Sequence, residues 1–113
     1  MNKILYSHHH LWVTMQDEIA TIGIKDNLIE KFNTINFIEL PEIALNINKE
    51  ELFASIETDQ EIIELFMPIG GTIIKTNNLL DSKILDQNDI FNYWLIKIKP
   101  FNYANDILNL SEK

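Results

Sequence analysis

The sequence predicts a small, mainly β domain of antiparallel strands. Three observations carry that prediction. Apolar and polar residues alternate in several short runs, turn residues bound each run, and 113 residues suffice for one domain with a modest core. Leu11 to Thr14 and Glu18 to Ile24 read as a pair of strands, with Gln16 and Asp17 as their turn. Asp26 then caps a short helix to about Phe32, because Leu28, Ile29 and Phe32 share one helical face. Thr34 to Leu40 returns to strand, and Pro41 closes it by offering no ladder donor. Leu52 to Ile56 and Glu61 to Phe66 form a protruding hairpin around the acidic segment Glu57 to Gln60. Pro68 to Gly71 punctuates the chain before a strand at Thr72 to Thr76. Asn77 to Asn92 reads as loop. Tyr93 to Lys99 is a final strand ended by Pro100, and Ala104 to Leu110 is a short terminal helix.

Composition narrows the function. No stretch reaches the roughly 18 uninterrupted apolar residues of a membrane span, and the N-terminus meets histidines before a signal-type apolar segment forms. The expectation is a soluble, cytoplasmic protein with no membrane partner. Without cysteine there is no disulfide framework, thiol nucleophile or thiolate metal site. The formal net charge is −8, and all positive charges are lysines. Missing guanidinium forks and net acidity argue against nucleic acid, and the charge sum likewise disfavours an acidic partner surface.

Little else points to chemistry. In His8-His9-His10, alternation along a strand lets only His8 and His10 converge, and no cysteine or nearby carboxylate completes a tetrahedral set. No metal site is assigned. Ser7, Ser55, Ser82 and Ser111 stand in no nucleophile-elbow context, and Gly70-Gly71 is too short for a phosphate loop. Phe37, Phe66, Tyr93 and Trp94 read as core. No catalytic residue is assigned and no enzyme activity is expected.

Several words of sequence, in order, carry a resemblance: Tyr6-Ser7 with His10 and Trp12, Ala20 to Ile24 (Ala-Thr-Ile-Gly-Ile), Phe37 to Glu42 (Phe-Ile-Glu-Leu-Pro-Glu), and Trp94 to Ile98 (Trp-Leu-Ile-Lys-Ile). Together they resemble the H protein of the glycine cleavage system, from about Tyr6 to the C-terminal helix. The resemblance implies a barrel-sandwich hybrid of the lipoyl/biotinyl-carrier type, with short flanking helices. It also implies a lysine in a Glu-Ser-x-Lys turn that carries a lipoyl arm between glycine decarboxylase, aminomethyltransferase and dihydrolipoamide dehydrogenase.

Aligned on Pro68 and Gly71, the motif falls on Glu57-Thr58-Asp59-Gln60, which places Gln60 at the lipoyl-lysine position. No lysine lies between Lys49 and Lys75, so no shift of alignment restores one. The expectation is an H-like protein without lipoate, acting as a binding or adaptor module. Its partner is a protein: glycine decarboxylase, aminomethyltransferase or a lipoate-handling enzyme. Glu50, Glu51, Glu57, Asp59, Glu61 and Glu64 form an acidic block around the turn, with Glu57, Asp59, Glu61 and Glu64 as candidate partner-binding residues for a basic surface. The alternatives are a genuine aminomethyl carrier or an unrelated structural subunit using the same fold. The chain also departs from the family pattern at Leu11, Lys25 and Ala44, the last standing where glycine is usual.

Overall fold

In a computed structural model of the chain, which describes residues 3–7, 10–25, 35–77 and 94–112, the first hairpin sets the geometry of the larger sheet. Strands β2 (Leu11–Gln16) and β3 (Ile19–Ile24) pair antiparallel without interruption, from Leu11 opposite Ile24 to Gln16 opposite Ile19. The turn is therefore Asp17-Glu18, one residue later than the sequence suggested. Both residues take positive φ, 54° and 67°, the sense that matches the right-handed twist of the flanking strands. Side-chain alternation predicts strands well but cannot reveal that two acidic residues accept this backbone.

The two-residue β1 (Leu5–Tyr6) pairs with β2. Further along lie β4 (Ile35–Glu39), β5 (Asn46–Ile47), β6 (Leu52–Thr58), β7 (Ile62–Phe66), β8 (Gly71–Thr76) and β9 (Trp94–Pro100). They form a six-stranded sheet in the order β1-β2-β3-β9-β8-β5 and a three-stranded sheet in the order β4-β6-β7. Strands β1 and β5 are too short to show a period of two, which is why the sequence did not reveal them. The inner faces pack on one another. Val13, Ile22, Ile73, Ile96 and Ile98 of the larger sheet share a buried cluster with Ile38, Ile56 and Leu65 of the smaller. Burying such side chains is worth about 1.5–3 kcal/mol each relative to exposure. The architecture is the predicted mainly β barrel-sandwich hybrid.

A short helix α1 (Tyr103–Asp106) and a 3₁₀ turn (Ile107–Asn109) follow β9. Asp106 Oδ2 accepts a hydrogen bond from the Gly70 amide at 2.9 Å, and the Phe101 amide donates to the Gly70 carbonyl at 3.1 Å. The end of the chain is thereby fastened to the turn between β7 and β8. Gly71 is required where it sits, because a Cβ there would lie 2.7 Å from the carbonyl oxygen of Lys99. The helix predicted from Asp26 to Phe32, and all but the first residue of the Asn77 to Asn92 loop, lie outside the described residues.

Ala44 has φ 80°, a left-handed conformation that costs an L-residue roughly 1–2 kcal/mol. Its amide donates to the Ile73 carbonyl at 2.7 Å, so pairing to β8 holds the strain in place. Ala44→Gly is expected to raise stability by about 0.5–1 kcal/mol, after allowing for glycine's greater unfolded-state entropy. Urea denaturation reads this as a higher midpoint at unchanged slope, and a lower midpoint would refute the strain argument.

Candidate functional site

The site follows from how β6 and β7 close. Strand β6 runs two residues further than the sequence suggested, so Glu57 and Thr58 belong to the strand, and Asp59, Gln60 and Glu61 form the connection to β7, which starts at Ile62. The Thr58 amide donates to the Glu61 carbonyl at 2.9 Å. Thr58 Oγ1 in turn accepts from the Gln60 and Glu61 amides, at 3.2 and 3.1 Å, and donates to the Glu61 carbonyl at 3.0 Å. The buried hydroxyl takes over part of the turn's backbone pairing. Asp59 and Gln60 consequently close the hairpin without positive φ, unlike the turn between β2 and β3.

Asn36 Nδ2 donates to Asp59 Oδ1 at 3.0 Å, tying the tip to β4. The result is a fixed backbone with the Gln60 side chain exposed at its apex. A carboxamide can exchange hydrogen bonds there, but it offers no amine to acylate. Lys49 lies beyond the opposite end of β6, and Lys75 lies on β8 in the other sheet.

The structure divides the acidic block. Glu50 and Glu51 sit at the base of the hairpin, where the Glu50 amide donates to the Met67 carbonyl at 2.8 Å and Glu51 Oε1 accepts from the Asn48 amide at 2.7 Å. Six residues of extended chain, about 20 Å, separate Glu51 from Glu57. Glu57 and Glu64 instead occupy the outer face of the smaller sheet, with Asp59 and Glu61 at its tip. Across that face Phe37, Glu57 and Ile62 stand abreast, and Glu39, Ser55 and Glu64 form the next row.

Phe37 was expected in the core and is 53% exposed; Ile62 is 65% exposed. An irregularity in the pairing between Ile35 and Phe37 explains the reversal, since it changes which side chains of β4 face inward. The outer face thus has two apolar side chains flanking a carboxylate, an arrangement that only knowledge of the pairing could reveal. A separate cleft of about 260 Å³ lies toward the base of the hairpin, lined chiefly by Leu40, Pro41, Leu45, Leu52 and Phe53.

Other expected positions fall elsewhere. His10 is exposed with φ 74°, and its carbonyl accepts the Lys25 amide at 2.9 Å. Lys25 Nζ donates to the Ser7 carbonyl at 2.9 Å and lies 5.3 Å from the centre of the Tyr6 ring, so this departure from the family pattern latches the first strand. His8 and His9 lie outside the described residues, among which no cluster of metal-binding side chains occurs. No helix among the described residues is long and apolar enough to cross a membrane.

Two antiparallel sheets over a shared core, with the β6–β7 hairpin closing at one end of the smaller one, define a lipoyl/biotinyl-carrier type of domain. The family model described as Glycine cleavage H-protein matches residues 4–113. The chain is 32% identical over 110 residues to the glycine cleavage system H protein of Geobacillus kaustophilus, covering 96% of this chain and 86% of that one. Over the same coverage it is 30% identical to the H protein of Bacteroides fragilis. Against the mitochondrial H protein 3 of Arabidopsis thaliana it is 32% identical over 106 residues, covering 92% of this chain and 64% of the other. The crystal structure of an H protein from Mycobacterium marinum superposes with a TM-score of 0.79 at 20% identity, covering 88% of this chain and 84% of that one, which shows the shared fold. The chain belongs to the glycine cleavage H-protein family.

Proposed function

We propose that this chain is an H-like protein that carries no lipoyl group and acts as a non-enzymatic binding module. Gln60 carries the reading: it stands at the apex of a hairpin whose backbone Thr58 fixes, and no lysine occurs between Lys49 and Lys75. A lipoyl arm requires an amide bond from a side-chain amine, so the tip does not fit that group. What the tip and outer face retain is a docking surface. Phe37 and Ile62 provide apolar contact, and Glu39, Glu57, Asp59, Glu61 and Glu64 provide a field that attracts a basic partner and weakens with salt. A glycine-cleavage or lipoate-handling enzyme is the partner that family membership supports.

The test is the intact mass of protein purified from its own host. The expected mass is that of the unmodified chain, and a lipoyl-sized increment on any residue would overturn the proposal. Family membership itself favours a second reading, a genuine aminomethyl carrier. Complementation separates the two: a host strain lacking its H protein should not be rescued by this chain if the first reading holds, and should be if the second does.

A further inference from the structure

The fold separates charges that the sequence sums. On β9, Ile96 and Ile98 are buried in the core, so Lys97 and Lys99 project from the opposite, outer face of the larger sheet. Lys75 of β8 stands directly opposite Lys97, and Thr72 stands opposite Lys99. On the other side of β9, Thr21 of β3 stands opposite Lys97 and donates no charge; its Oγ1 accepts a hydrogen bond from Lys97 Nζ at 2.9 Å. The Trp94 ring centre lies 5.1 Å from Lys97 Nζ and 5.9 Å from Lys75 Nζ.

A like-charge pair directly across a ladder is destabilising. No carboxylate among the described residues comes within ion-pair distance of Lys75, Lys97 or Lys99. Burial, and secondly the neighbouring Lys75, pull the Lys97 ammonium below the usual lysine pKa of 10.5. In a chain of net charge −8, three lysines are thus gathered on one sheet face without a compensating anion among the described residues.

We propose that this strip is a docking site for an extended, acidic segment of a protein partner with carboxylates at alternate positions. Alternate residues of a strand are spaced about 7 Å apart, which is the spacing of Lys97 and Lys99 along β9 and of every second side chain in an extended ligand. One carboxylate meets the Lys75–Lys97 pair, and the next meets Lys99. The face is a strand surface, whereas the cleft that could enclose a small molecule lies near Leu40 and Leu52. Nucleic acid is the poorer occupant, because the chain has no arginine to grip phosphate bidentately. The strip belongs to the larger sheet and the Gln60 tip to the smaller, so this proposal goes beyond the proposed function and does not depend on it.

The test uses the isotope-labelled full chain and a blocked peptide of alternating glutamate and threonine. Amide shifts and the Trp94 indole signal should move on β3, β8 and β9. Binding should weaken about tenfold between about 20 and 200 mM salt. Lys75→Met and Lys97→Met should each weaken it by about threefold to fivefold while leaving the remaining spectrum unchanged. A peptide of the same composition with contiguous glutamates should bind more weakly. Absence of shifts on these strands, shifts centred on the Gln60 tip, unchanged binding in both methionine variants, equal affinity for the contiguous peptide, or tighter binding of a single-stranded oligonucleotide would each overturn the proposal.

Discussion

Gln60→Lys is expected to make the β6–β7 hairpin tip an acyl acceptor. Incubated with a lipoate ligase, lipoate and ATP, the variant should gain one lipoyl mass increment, whereas the parent chain should gain none. The expectation rests on geometry that the substitution leaves alone. Thr58 Oγ1 holds the Gln60 and Glu61 amides, Asn36 anchors Asp59, and the side chain at position 60 projects into solvent. An amine introduced there is presented on a fixed backbone, so little ordering is needed before it can attack an activated acyl carbonyl.

Adding Thr58→Val to that variant should reduce modification. The valine leaves two tip amides without their acceptor at a cost of about 1–3 kcal/mol, and the hairpin apex loosens. If the single variant keeps its fold and gains no mass, ligase recognition has been lost along with the amine. If the double variant is modified as readily as the single one, the Thr58 hydroxyl is not what organises the tip.

The second large effect concerns stability. Trp12 is fully buried, its Nε1 donates to the Ile24 carbonyl at 3.1 Å, and it lies across Gly23, its partner on β3. A Cβ on Gly23 would stand 2.3 Å from the Trp12 ring, so Gly23→Ala must displace the indole and strain its hydrogen bond. The expected loss is about 2–3 kcal/mol for Gly23→Ala and about 3–5 kcal/mol for Trp12→Ala. For a domain of this size each kcal/mol lowers the melting temperature by roughly 3–6 °C.

The two losses should not add. With the ring gone, the extra methyl of Gly23→Ala occupies vacated space, and the double variant should be about 1–3 kcal/mol more stable than the sum of the singles predicts. Additive losses would mean that the methyl meets something other than Trp12. The same contact gives a physical reason for glycine in the Ala-Thr-Ile-Gly-Ile word: it is the floor on which an indole lies.

Much of the framework was legible because strand alternation is a local property. The runs at 11–14, 18–24, 52–56, 61–66 and 93–99 each announce a strand from side chains two positions apart, and β2, β3, β6, β7 and β9 appear there with small shifts of boundary. The shifts have causes. Glu18 follows Asp17 into a left-handed conformation that its residue type does not advertise, and Thr58 remains in the strand because its hydroxyl completes the hairpin. The acidic block misled for a different reason. Glu50, Glu51 and Glu57 are neighbours in sequence, but an extended strand carries Glu57 away from the other two.

Sequence alone determined that the segment between Lys49 and Lys75 contains no amine-bearing side chain, and that the strands would have apolar inner faces. Both are properties of residue identity and of a repeat two residues long. Only the tertiary structure decided that Phe37 and Ile62 flank Glu57, and that Lys75, Lys97 and Lys99 gather on one outer face of a protein whose total charge is negative. Apart from Lys97 and Lys99, which share β9, those neighbours belong to different strands. Their juxtaposition depends on pairing register and on the irregularities between Ile35 and Phe37 and between Ile73 and Lys75, which are set when the sheets pack around a shared core.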